Sequence, residues 1–198
     1  MRKKTDMRAI TSTLINIGAA AALFCVLGPA AMAQDKGLIA FCPAVYDKGD
    51  GIPESRAEAI RFTRLTLEHA GYTVADYDAM KAKWTDLGIA MPVEGQPPTP
   101  SDLARFGKAV GAKYVLEPEF DFSANRNWNV DKYTTVKAAM NIFKASDGVR
   151  VYKQTETISK SPKSSEDFRA LSQAGREQRV VDQAIDVSLA RFGRRAIR

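Results

Sequence analysis

The chain is poor in the residues on which most side-chain chemistry depends. It holds one histidine, His69, and two cysteines, Cys25 and Cys42, which removes most histidine-based triads and histidine-rich metal sites from consideration. No phosphate loop, dinucleotide glycine fingerprint, Gly-x-Ser-x-Gly elbow or paired-cysteine motif occurs. There is no internal repeat, no low-complexity tract and, beyond the first 33 residues, no apolar run long enough to span a bilayer. Together these absences favour binding over catalysis, and no cofactor is expected.

What is present begins at the N-terminus. "MRKKTDMRAITSTLINIGAAAALFCVLGPAAMAQDKG" places Arg2, Lys3, Lys4 and Arg8 ahead of an apolar run that ends in Ala31-Met32-Ala33. That order reads as a secretory signal, residues 1 to 33, cleaved between Ala33 and Gln34. Gly28-Pro29 interrupts the apolar stretch, which argues against a retained membrane anchor, and bulky Phe24 stands before Cys25 where a bacterial lipoprotein signal carries a small residue. The expected location is therefore exported, periplasmic or secreted. Cleavage leaves 165 residues, which suits a single domain, 34 to 198, burying about 70% of its unfolded surface. Cys42 then stands alone, so no intrachain disulfide forms and stability rests on packing.

The leader carries four of the 29 basic and one of the 23 acidic residues, so its removal lowers the net charge from +6 to +3. From Arg169 onward seven arginines face Glu177, Asp182 and Asp186. The basic character belongs to this C-terminal segment. In an exported protein it suits an envelope protein or an anionic envelope surface, and not nucleic acid.

The pattern predicts an α/β domain with a mixed five-stranded sheet and a long C-terminal helix. Gly37 to Tyr46 is apolar on both alternations and reads as a strand in the middle of a sheet. Pro53 opens a helix to about Ala70, Tyr72 to Tyr77 reads as a strand, and Asp78 to Gly88 as a short helix. Ile89 to Pro100 is an irregular excursion with four prolines. Thr99 caps a helix that closes at Gly111. Lys113 to Phe122 follows as a strand in which Pro118 favours an edge position or a bulge. Tyr133 to Ala145 and Val149 to Ser159 form a hairpin across Asp147-Gly148. Ser165 caps a final helix with its apolar stripe on Leu171, Ala174, Val181, Ile185 and Phe192.

Glu117, Glu119 and Asp121 are the most enzyme-like constellation, because residues two apart on a strand share one face about 6.5 to 7 Å apart. They support an alternative reading, a carboxylate-dependent glycan hydrolase or a small-ligand or metal-binding protein. The plainer reading is a solvated sheet face with Lys137 and Lys153 as cross-strand partners. The candidates for partner contact are Trp128, a large ring in the polar loop "NRNWN" with Arg126 beside it, which can equally fold back to cover the sheet, and Arg191, Arg194, Arg195 and Arg198, which equally suit a soluble tail at a helix C-terminus. His69 suits the last turn of its helix and Cys42 the interior. Oligomeric state is not legible.

"GAKYVLEPEF" followed by "FKASDGVRVYKQ" resembles the extracytoplasmic α/β module of the TolB amino-terminal domain, the curli secretion channel subunit and the lipoprotein activators of peptidoglycan synthases. Gly111-Ala112 with Tyr114-Val115-Leu116, and Asp147-Gly148 with Val151-Tyr152, carry the likeness over about residues 37 to 158. The resemblance implies a non-enzymatic envelope module that docks on other proteins, with no catalytic residue inherited.

Overall fold

In a computed structural model, residues 36–46, 53–122 and 133–195 are described. Their elements run β1 (Leu38–Phe41), β2 (Val45–Tyr46), α1 (Pro53–His69), β3 (Thr73–Val74), α2 (Tyr77–Asp86), α3 (Pro100–Ala109), β4 (Tyr114–Asp121), β5 (Thr134–Lys144), β6 (Arg150–Lys160), α4 (Glu166–Ala170) and α5 (Gln173–Arg195). A 3-10 turn, Pro162–Ser164, precedes α4. The strands form one mixed sheet in the order β3-β1-β4-β5-β6, with β2 pairing β4 beyond the end of β1. Pairings of β1 with β3 and β4 are parallel, whereas β4, β5 and β6 are antiparallel.

The segment Gly37 to Tyr46 is central, as its composition implies, but it is two strands and not one. Pro43 divides it, and the register steps from Phe41 opposite Leu116 to Val45 opposite Glu119. The same break explains Pro118. Instead of an edge, Pro118 occupies the interior strand β4, opposite Met140. Leu116 accepts a hydrogen bond at its carbonyl from the Cys42 amide, 2.9 Å. Main-chain groups two residues on point the same way, so the missing Pro118 amide faces the interruption at Pro43, where no donor is required.

The two faces of the sheet carry separate apolar clusters. Ile39, Phe41, Leu116, Phe120, Met140 and Ile142 pack under α1 and α5 with Leu67, Val181, Ile185 and Phe192. Ala40, Cys42, Val115 and Phe143 pack under α2 and α3 with Trp84, Leu103 and Phe106. At the first face, the Ser55 hydroxyl of α1 donates to Glu177 of α5 at 3.0 Å, and the Tyr152 hydroxyl donates to the Ser188 carbonyl.

The expected single C-terminal helix is interrupted. Ser165 caps α4 through the Phe168 amide, 3.1 Å, but Leu171 is extended, with ψ 147°. Ser172 then accepts the Gly175 amide at 3.1 Å and restarts the helix as α5. The Leu171 carbonyl released by the break receives the Arg176 guanidinium at 2.7 Å. Val181, Ile185 and Phe192 lie in the core as the stripe requires.

Candidate functional site

Alternation along β4 sends Leu116, Phe120 and Phe122 to the α1/α5 face and Val115, Glu117, Glu119 and Asp121 to the other. Of these, Val115 lies against Gly107 of α3. Past its first turn the acidic row lies on the strand face beside Asn141, Ala139 and Lys137 of β5, which in turn stand opposite Lys153, Thr155 and Thr157 of β6.

The chain reverses direction here. From β1 it passes through α1 on one face to β3, then through α2 and α3 on the opposite face to β4, on the other side of β1. In open α/β sheets such a switch leaves a crevice beyond the carboxyl ends of the two strands. Glu117 directly follows Leu116, the last β4 residue paired with β1. The crevice is a cavity of about 530 Å³ walled by Val45, Glu117, Glu119, Asn141, Phe143, Arg150, Lys153 and, from the excursion, Val93, Glu94, Gly95, Pro97, Pro98 and Pro100.

The excursion is pinned at both ends. Trp84, fully buried, donates its indole N–H to the Ala90 carbonyl at 3.1 Å. At the far end Gly148 of the β5–β6 turn, φ 73°, lies so near Pro100 that an added Cβ would stand 2.0 Å from the Pro100 oxygen. Between them Val93 bridges to Gln96 around Gly95, φ 74°, and Pro97, Pro98 and Pro100 stiffen the rim.

Within this cavity the carboxylates differ. Glu117 is only 6% exposed. Burial pushes its carboxyl above the ordinary value, helped by the Glu119 charge, while the Asn141 hydrogen bond, Arg150 and Lys153 pull the other way. Glu119 is half exposed and pairs with Lys137 at 3.7 Å, one of the two partners that the pattern names. Lys153, the other, makes no ion pair among the described residues, and neither does Arg150. The buried Oδ1 of Asn141 has no hydrogen-bond partner. No group of three or more His, Cys, Asp or Glu among the described residues is placed to hold a metal ion.

Elsewhere, Cys42 is fully buried and burial, followed by the Glu117 charge, raises its thiol well above the usual range. His69 closes α1, with Nδ1 2.9 Å from the Leu65 carbonyl. Arg191 is exposed on α5, which extends through Arg194 and Arg195. Arg126, Trp128 and Arg198 lie outside the described residues, as does the expected leader. Among the described residues no helix is long and apolar enough to cross a membrane. The residues that sequence reasoning missed are Asn141, Arg150 and those of the rim. Four prolines within twelve residues mark rigidity, but nothing local says that the segment folds over β4.

No protein-family model matches the chain, and no curated protein matches it. Solved structures do. The hypothetical protein CT253 from Chlamydia trachomatis is 13% identical, with 81% of this chain and 97% of that one covered at TM-score 0.53. Lipoprotein GNA1162 from Neisseria meningitidis is 13% identical over 79% and 98%, at TM-score 0.51. The PelC dodecamer from Paraburkholderia phytofirmans is 16% identical over 80% and 89%, at TM-score 0.49. At these identities the likeness is one of fold, and the first two carry it. The chain has the α/β module fold that the sequence resemblance implied.

Proposed function

We propose that the chain is an exported envelope module that works by docking on other proteins and breaks no bonds of its own. The observation that carries this reading is β6. It is eleven residues long and forms one edge of the sheet, paired only with β5 among the described residues. A free edge of this length offers main-chain donors and acceptors to an added strand. Arg150, Lys153 and Lys160 stand on it against Glu156. Like charge opposes pairing between two copies, so the edge suits a partner segment that carries acidic residues. Arg191, Arg194, Arg195 and Arg198 extend the same preference to the C-terminus, and Trp128 with Arg126 would supply an anchor.

A photo-crosslinking residue at Thr155 or Thr157, both exposed on β6, tests this in cells, with exposed Ala82 of α2 as the control position. One discrete adduct from β6 and none from Ala82 is the expected result. Equal or absent adducts at all three positions oppose docking along β6. Turnover of cell-wall glycan by the purified chain, lost in Glu117→Gln, would replace the proposal with the hydrolase reading.

The small-ligand part of the alternative has an observation in its favour, because Glu117 and Glu119 wall a cavity and do not stand on a flat surface.

A further inference from the structure

Two cations, Arg150 and Lys153, and three carboxylates, Glu94, Glu117 and Glu119, line the switch-point cavity, and no ion pair joins Glu117 or Glu119 to either cation. Glu117 and Glu119 lie on β4, Arg150 and Lys153 on β6, and Asn141 of β5 stands between them in the row Glu117, Asn141, Lys153. Glu117 meets Asn141, not a cation, and Arg150 and Lys153 form no ion pair among the described residues. Opposite charges held apart on a fixed sheet keep their fields available to a ligand that carries both signs. The unpartnered Asn141 Oδ1 marks the polar network as incomplete. Apart from Glu94 and Gly95, the other walls are prolines, valines and Phe143, apolar surface suited to a short aliphatic body.

We infer that this cavity binds a small zwitterion of the amino-acid or short-peptide class, its ammonium end on Glu117 and Glu119 and its carboxylate end on Arg150 and Lys153. Scale supports the choice. Glu117 and Lys153 are two strands apart, so their Cα atoms lie about 10 Å from each other. A di- or tripeptide, at roughly 3.4 Å per residue, spans that gap once the side chains have reached inward. The site shares Arg150 and Lys153 with the β6 edge but is distinguishable from docking there: Glu117 and Glu119 lie on β4, two strands away, so Glu117→Gln touches the cavity and leaves the main-chain edge unchanged.

Calorimetric titration of the exported chain with triglycine, N-acetyl-triglycine and triglycine amide tests it, with the Asn141 side-chain amide resonance as a second readout. Triglycine binds and shifts that resonance, and each blocked form loses about tenfold or more in affinity, as expected when a charge-assisted hydrogen bond is removed. Glu117→Gln weakens triglycine but not its N-acetyl form. Lys153→Met, at an exposed residue whose replacement leaves the core intact, weakens triglycine but not the amide. Absence of binding by triglycine, equal affinity for the blocked forms, or a Lys153→Met chain that binds triglycine as tightly as the parent would each overturn the assignment.

Discussion

Asp182 illustrates how a single side chain sets a pH response. It lies on α5 against α1, and burial, then the Glu58 carboxylate, raises its pKa from 3.8 to about 6, with Arg61 opposing. Its Oδ1 has no hydrogen-bond partner. The folded chain therefore holds a proton that the unfolded chain has lost between about pH 4 and 6. The stability associated with that proton is full below pH 3.8 and is lost as pH rises through about 6. Asp182→Asn is expected to raise stability at pH 7.5 by about 1 kcal/mol, discounted for partial exposure. The gain should shrink toward zero near pH 3.5, and urea denaturation of both chains at the two pH values reads it directly. Glu117 shows why such effects are hard to foresee. Period-two alternation identifies the polar face of β4, and Lys137 does meet Glu119. That Glu117 is nearly buried follows from Asn141 and from a proline-rich segment some twenty residues earlier, a long-range contact with no local signature.

At the scale of elements, the β5–β6 turn and the start of α3 are coupled. Gly148 combines a positive φ with backbone contact to Pro100, so Gly148→Ala meets both strain and overlap. A loss of roughly 2 kcal/mol or more is expected, a fall of roughly 4 to 8 °C in Tm for a domain of this size. Triglycine affinity should fall with it, since the rim shares that anchor. Asp147-Gly148 as a turn and Thr99-Pro100 as a helix start were readable because each is local chemistry. The break at Leu171 was not, because the apolar stripe runs on through it. Its local mark is Ser172 three residues before Gly175, a cap signal inside what the periodicity treats as one helix. Likewise the even hydrophobicity of residues 37 to 46 conceals a division that Pro43 alone announces.

For the whole molecule, the sheet is insulated on both sides where the chain crosses over, and Cys42 reports on that. Its thiol is buried under α2 and α3 with a raised pKa. In a chain that starts at Gln34 and so omits Cys25, modification of Cys42 by a soluble thiol reagent at neutral pH is expected to be at least about a hundredfold slower than in the unfolded chain. Its rate should rise in urea with the same midpoint as the loss of helical circular dichroism. Labelling well below that midpoint would mean that the α2–α3 layer opens independently of the rest. The mixed architecture was legible from element order, because helix-strand alternation followed by a hairpin leaves few topologies. Its cavity was not, because it arises only where distant segments meet.

The order in which the strands are synthesised differs from the order in which they lie. β1 emerges first yet is flanked by β3 and β4, and β4 begins only at Tyr114. A ribosome must therefore have released more than half of the chain before the central strand acquires both neighbours. The β4–β6 meander, by contrast, closes through short-range contacts and is complete by Lys160, which makes it the natural seed for the rest to condense on. Fragments truncated ahead of residue 114 lack the strand that joins β1 to the meander and would be open to proteases, a condition that lasts until more than half of the chain has been made.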